Sequence, residues 1–374
     1  MPKVSIITRT CDRPLLLERA INSVLTQTFQ DWEHIIVDNN NQATQAFSDL
    51  IEKYKDNYNN RLKIVQTEFI QDQGLDKLLT LGLKEASGEY FLIHDDDDSL
   101  ECDFLQETVD FLEKNPKIGG ICTDLNYFIE NIENNEIKTL YNYPYQGLSK
   151  VSYYDIFKER NYPAPISTLL RTKIAKKINY FNNEMLKAGD KEFILRFLKE
   201  AKIAKMDKNL ANYHARPYGQ TTYANSTLGN KAYQDNLYWE KRVIEELFKH
   251  NFDLWIFYQI VEILRPFLEK KALKKALKEC IDHKTALYGA GIRAEQLFKD
   301  HQKEFKKLEI IGIFDQNQQK QGQKFKNITI YAPEEAKNLK PERILLTVAN
   351  SSMVEGFLQS LIKENKLDCK IIKI

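Results

Sequence analysis

The first hundred residues contain four short apolar runs, 4–7, 34–37, 62–65 and 90–93, separated by segments long enough for helices. Pro14 opens one such segment, with Leu17, Ala20, Ile21, Val24 and Leu25 spaced three or four apart, the period of one helix face. A second helix is predicted over 76–86, closed by Ser87-Gly88. Short buried strands alternating with helices imply a mostly parallel sheet covered on both faces. The predicted fold class is therefore α/β. Ligands of such sheets collect at the carboxyl ends of the strands. Three polar clusters follow those ends here, Thr8-Arg9, Asp38-Asn39 and Asp95 to Asp98, and the topology predicts that they converge in space.

Composition narrows the class further. At 374 residues the chain exceeds one ordinary domain, and 43% hydrophobic with 29% charged residues marks a folded chain. Lys plus Arg (54) nearly cancels Asp plus Glu (53), which gives no argument for nucleic acid. The five cysteines, Cys11, Cys102, Cys122, Cys280 and Cys369, are scattered and include no C-x-x-C pair. They point to a reducing compartment rather than to disulfides or structural zinc. No basic-then-apolar leader opens the chain, and the most apolar window, 252–264, is short and carries Asp253, Gln259 and Glu262. The expectation is a cytoplasmic protein, at most peripheral to the inner face of a membrane.

Four consecutive aspartates after an apolar strand repel one another unless a cation compensates them. One reading is an acidic solvated loop or a cap on the helix that follows. The other is a hard divalent cation, Mg²⁺ or Mn²⁺, held by oxygen ligands with positions left for phosphate oxygens. The place of the run, at the ligand edge of the sheet, favours the cation.

The same segments resemble the family 2 glycosyltransferases, which have the GT-A fold. Val4-Ser5-Ile6-Ile7-Thr8-Arg9-Thr10 is similar to that family's first strand and nucleotide loop, and 19–29 to its first helix. Residues 32–38 are similar to its second strand with a terminal aspartate, and 88–98 to the segment carrying the D-x-D motif. The resemblance covers about 1–220. It implies that Thr8, Arg9 and Asp38 line the nucleotide pocket, that Asp95 or its neighbour Asp96 contacts the donor, and that Asp97 holds the metal on the donor diphosphate. The segment 187–196 resembles the family's Glu-Asp segment, which makes Asp190 the general base, with Gly189 in place of the usual Glu. By residue chemistry alone, Asp190 also suits the N-cap of a helix over 191–201. His214 falls where the family has an Arg; it can reach the metal or be an ordinary surface histidine. Asp72-Gln73-Gly74 and Leu79-Thr80 depart from the family's Asn-x-Gly and Arg-Asn, leaving Lys77 or Arg9 to supply the positive charge. Asn39-Asn40-Asn41 replaces the family's Asp-Gly-Ser.

Three parts are predicted along the chain: a transferase domain over 1–224, a helical linker over 225–283, and a small Rossmann-like domain over 284–374. Residues 268–278 read as a basic amphipathic helix with Leu268, Ala272, Leu273, Ala276 and Leu277 in one stripe. The stripe either packs on a neighbouring domain or contacts a membrane surface. Gly289-Ala290-Gly291-Ile292-Arg293-Ala294 fits G-x-G-x-x-G/A after a strand, and Asp315 ends the next strand. These make Gly289, Gly291 and Asp315 a candidate nucleotide or dinucleotide site. The implied activity is an inverting, metal-dependent hexosyl or N-acetylhexosaminyl transfer from a nucleotide-sugar, such as a UDP-sugar, to a hydroxyl of a glycan or lipid-linked acceptor. Two rivals stand beside it: a non-catalytic nucleotide-sugar scaffold, and a bifunctional protein with dinucleotide chemistry in its C-terminal part.

Overall fold

The computed structural model describes residues 1–40, 43–68, 76–159, 161–185, 188–216, 238, 242–247, 252–348 and 351–374. The sequence signals at Asn41, 72–74, Lys187 and Trp239 lie outside the described residues. The chain divides into two units, Met1–Phe257 and Tyr258–Ile374.

The first unit runs β1 (Val4–Thr10), α1 (Pro14–Leu25), β2 (Trp32–Asp38), α2 (Gln45–Tyr54), β3 (Leu62–Gln66), α3 (Asp76–Glu85), β4 (Tyr90–Ile93) and β5 (Ser99–Leu100). It continues with α4 (Phe104–Lys114), β6 (Gly120–Glu133), β7 (Glu136–Tyr145), α5 (Tyr153–Glu159), β8 (Thr168–Arg171), α6 (Thr172–Lys177), α7 (Gly189–Glu200) and β9 (Ile203–Ala215). The predicted α/β class is what the structure has. Strands β3-β2-β1-β4 are parallel, and antiparallel β8 joins them to β6, β9 and β5. Every residue of β2 and β4 is buried, so both faces of the central sheet are covered. α1 starts with Pro14, whose missing N–H costs nothing there, and it buries Leu16, Leu17, Ala20, Ile21 and Val24.

The register aligns the strand ends. Thr10 pairs with Asp38, Asp38 with Gln66, and Ile7 with Ile93, so the chain leaves β1, β2 and β4 along one edge. The long β6–β7 hairpin lacks the short apolar runs that mark β1 to β4. Its turn is Asn134-Asn135, both at positive φ (52° and 62°), the geometry that two-residue hairpin turns require and asparagine tolerates. Strand β9 lies parallel to β6, with Asn126 opposite Asn212 and Phe128 opposite His214. This brings residues 212–216 to the edge where β4 ends.

Two histidines are sealed in the sheet core. His34 bridges Thr8 Oγ1 and Tyr58 Oη, each at 2.8 Å, and His94 lies 3.1 Å from Ser23 Oγ. Burial lowers both pKa values, that of His94 from 6.5 to about 4. A group whose folded pKa is depressed below its unfolded value binds its proton more readily unfolded, so stability is lost as pH falls from 6.5 through 4. Denaturant unfolding at pH 7 and pH 5 is expected to show His94 contributing about 2 kcal/mol of that loss, with a shallower pH slope in His94→Asn. Equal slopes in the two proteins would contradict this.

The second unit contains most of helix α8 (Phe252–Cys280), then β10 (Lys284–Tyr288), α9 (Ile292–Asp300), α10 (Gln302–Phe305), β11 (Glu309–Phe314), β12 (Lys324–Phe325) and β13 (Ile328–Tyr331). It ends with α11 (Ala336–Leu339), β14 (Arg343–Leu346), α12 (Ser351–Glu364) and β15 (Lys370–Ile372). The sheet order is β12-β13-β11-β10-β14-β15, parallel except for β12. Leu273, Ala276, Leu277 and Cys280 of α8 are buried in this unit's own core with Leu287, Ile313 and Leu345. This explains why the division falls at 257/258 rather than near 284. Of the basic helix's stripe, Leu273, Ala276 and Leu277 are covered by this unit, whereas Leu268 and Ala272 are exposed. No helix among the described residues is long and apolar enough to cross a membrane.

Candidate active site

The aspartates that follow β4 do not share one environment. Asp96 and Asp98 are buried, whereas Asp95 and Asp97 are partly exposed, with 25% and 13% of their side chains accessible. Guanidinium groups supply compensation that the sequence argument sought from a metal. Arg9, from β1, holds Asp95 (Nε to Oδ1, 2.8 Å) and approaches Asp76 at the start of α3 (3.8 Å). Arg13, just before α1, is paired with both oxygens of Asp96 and lies 3.7 Å from Asp97. Arg216, after β9, is paired with Asp97, and Arg19 of α1 donates to the Asp97 carbonyl oxygen at 2.6 Å.

Asp96 is engaged on both oxygens, since Oδ2 also accepts from Thr10 Oγ1 at 2.7 Å. Burial pushes its pKa up to about 6 against the opposing pull of Arg13. Between the two neighbours, Asp95 is the one that solvent reaches. Asp98 accepts from the His214 backbone N–H at 3.1 Å, and burial raises its pKa well above the usual carboxylate range. The His214 ring lies between Ser99 Oγ (2.8 Å) and Glu130 Oε1 (2.6 Å), and Glu130 is in turn held by Arg19 at 2.8 Å. With both ring nitrogens engaged and the residue 5% exposed, His214 fastens β9 to β5 and β6 and is no surface histidine. Thr8 is fully buried with its hydroxyl on His34.

Asp38 lies at the end of β2 with its carboxylate held by Asn40 Nδ2 (2.6 Å) and Gln66 Nε2 (2.9 Å), and burial raises its pKa. Asp190 is in the first turn of α7 but is not its cap: Ala188 holds that position, without a side-chain cap bond. The Asp190 carboxylate accepts from Lys191 N–H (2.9 Å) and lines a small apolar cavity with Phe91, Pro163 and Phe193. Burial opposes the charge on Arg9, but Asp95, Asp76 and Asp190 outweigh it and raise its pKa. One guanidinium therefore joins carboxylates from α3 and the end of β4. Asp76 was not foreseen; its only signal was an acidic residue opening a predicted helix.

In the second unit, Asp315 does not face outward to a ribose. Its carboxylate accepts from Ala290 N–H (2.9 Å), Asn317 N–H (2.9 Å) and Lys320 Nζ (3.3 Å), closing the glycine loop on itself. Gly289 is required by its backbone, with φ +100° and a Cβ that would stand 2.4 Å from Val348 Cγ1. Nothing lies within 4 Å of the corresponding position at Gly291.

Residues 5–174 match the profile of Glycosyl transferase family 2, and 281–368 match C2185-like, N-terminal. The chain thus carries a family 2 glycosyltransferase domain. An uncharacterized glycosyltransferase of Haemophilus influenzae is 26% identical over 243 residues, 64% of this chain and 89% of that protein. The GalNAc(5)-diNAcBac-PP-undecaprenol beta-1,3-glucosyltransferase of Campylobacter jejuni is 39% identical over 101 residues, 27% of this chain and 31% of its own. Among solved structures, Staphylococcus aureus TarS 1–349 in complex with UDP-GlcNAc has a TM-score of 0.47 at 21% identity, covering 67% of each chain. The mannosyltransferase PcManGT of Pyrobaculum calidifontis, in complex with GDP-Man and Mn²⁺, has a TM-score of 0.44 at 13% identity, covering 74% of this chain and 80% of its own.

The buried Arg13–Asp96 pair yields a direct test. Removing one partner of a buried ion pair leaves an uncompensated charge and costs about 3–5 kcal/mol. Arg13→Met is expected to lose that much in urea unfolding at pH 7.5. The loss should shrink below about pH 6, where Asp96 is protonated. A loss under about 1 kcal/mol at pH 7.5 would show that the pair does not carry the loop.

Proposed function

We propose that the chain is an inverting glycosyltransferase that moves a sugar from a nucleoside-diphosphate donor, a UDP-sugar in the first instance, to a hydroxyl of a glycan or lipid-linked acceptor. The carrying observation is the run of contacts from Asp95 through Arg9 to Asp76, whose carboxylate lies against Gly189, because it sets the next residue, Asp190, as a candidate base beside the edge where a nucleotide would lie. Asp190 takes the proton of the acceptor hydroxyl as its oxygen attacks the anomeric carbon, and the diphosphate leaves from the opposite face. One displacement inverts the anomeric configuration. A positioned base of this kind contributes typically 10²–10⁴-fold.

The reachable carboxylates also fit a divalent cation in a limited way. Mg²⁺-type ions are commonly held by one or two carboxylates, with phosphate oxygens and water completing the shell. Asp97 and Asp95 are the two that solvent reaches, and no group of three or more His, Cys, Asp or Glu suited to a metal occurs among the described residues. A bound cation supplies charge neutralisation at the leaving diphosphate. Arg13 and Arg216, both already at Asp97, bring positive charge to the same place and fill the role that sequence reasoning gave to Lys77 or Arg9. We assign surface-glycan synthesis on the cytoplasmic side as the setting, since a nucleotide-sugar donor suits it. Dinucleotide chemistry in the second unit is not carried forward, because Asp315 is engaged by its own loop.

Asp190→Asn separates the transferase from a nucleotide-sugar scaffold. Turnover is expected to fall by at least about 10²-fold, while donor affinity measured by calorimetry stays within about threefold. Unchanged turnover would remove Asp190 as the base; lost donor binding would mean that it holds the donor instead.

A further inference from the structure

Asp76 opens α3 and is buried, with 8% of its surface exposed. Its carboxylate rests against the first residue of α7. A Cβ built on Gly189 would stand 1.7 Å from Asp76 Oδ2 and 2.5 Å from its Cγ. No real Cβ approaches that closely, so the carboxylate fills the volume that any side chain at 189 would take. The other oxygen faces Arg9 Nη1 at 3.8 Å, and Arg9 Nε bonds Asp95 at 2.8 Å. A continuous chain of contacts therefore runs from the end of β4 through Arg9 and Asp76 to the first turn of α7, one residue before Asp190.

Resting on the reading of Asp190 as the base, we propose that Asp76 and Gly189 act as one positioning unit, the Asp76 carboxylate locking the start of α7 to Arg9 and so fixing Asp190 against the donor edge. The absence of a side chain at 189 is then a requirement of the site. Glycine weakens a helix by roughly 1 kcal/mol relative to alanine when interior, yet here alanine would evict the carboxylate. The lock needs Asp76 ionised. Burial pushes its pKa up to about 7, with Arg9 of β1 lowering it and Asp190 and Glu192 of α7 and Asp95 after β4 raising it.

A set of variants in the full chain tests this, with nucleotide release from a panel of UDP-, GDP-, CDP- and dTDP-sugars and thermal unfolding as parallel readouts. Gly189→Ala is expected to lower the melting temperature and reduce kcat by about 10²-fold, with donor KM within about threefold. Combining it with Asp76→Ala should restore the melting temperature, because the evicted group is gone, but not kcat, because the lock is gone. Asp76→Asn, which keeps the volume, should melt normally at pH 7 and have low kcat at every pH. The wild type, by contrast, should lose kcat as pH falls through about 7.

A wild-type melting temperature in Gly189→Ala would overturn the steric half of the inference. Wild-type kcat and pH profile in Asp76→Asn would overturn the functional half. Asp190→Asn assayed beside them keeps the two readings apart. If it retains turnover, the base assignment fails whatever the Asp76 series shows. If it is inactive while the Asp76 series behaves as wild type, only the positioning unit fails.

Discussion

The buried pairing of Arg13 with Asp96 is the interaction on which the edge of the first unit depends. Four successive carboxylates at the end of a fully buried strand would otherwise be expelled or neutralised by protonation. Arg13 arrives from the turn before α1, and Thr10 from the end of β1, so the pair also ties β4 to β1 beyond their last ladder contact. The cost of desolvating it is offset by hydrogen bonds to both oxygens of Asp96. In the turn that follows β4, Asp96 is held inward while Asp95 and Asp97 on either side are partly exposed. The two inner aspartates are buried, and the two outer ones are partly exposed and paired with arginines.

The second constraint is the order of the sheet. Parallel β3-β2-β1-β4 places Asp38, Thr10 and the aspartate loop along one edge, while antiparallel β8 and the long β6 carry the chain across. β9 then returns Arg216 to Asp97 through the same core that holds His214, Glu130 and Arg19. Buried charge networks of this kind are costly when partly satisfied and rigid when complete. α3 and α7 begin with two further carboxylates, Asp76 and Asp190, and Asp76 reaches Arg9 at this edge.

Much of this was legible because it depends on short-range pattern. The apolar runs marked β1 to β4, and a predicted helix over 76–86 corresponds to α3 at Asp76–Glu85. The convergence of strand ends followed from topology alone. The β6–β7 hairpin was missed because Tyr- and Asn-rich strands lack the apolar run that signals burial; its turn at Asn134-Asn135 was the available clue. Side-chain direction was not legible at all. Sequence cannot tell which of four adjacent aspartates points inward, or that the His214 ring lies buried between Ser99 and Glu130. Nor can it show that Asp315 folds back onto Ala290. The partner that decides each of these cases lies far away along the chain.

The central claim is that the outer aspartates and their arginines bind the diphosphate of a nucleotide-sugar. Thermal unfolding of the full chain with UDP, GDP, CDP or dTDP, each with and without Mn²⁺, tests it most directly. A ligand that binds only the native state adds about 2.7 kcal/mol at a hundredfold excess over its Kd. The account predicts stabilisation by one nucleotide that depends on the metal and is absent in Asp97→Asn. No stabilisation by any of the four, with or without metal, would contradict it and leave the aspartate loop a purely structural device.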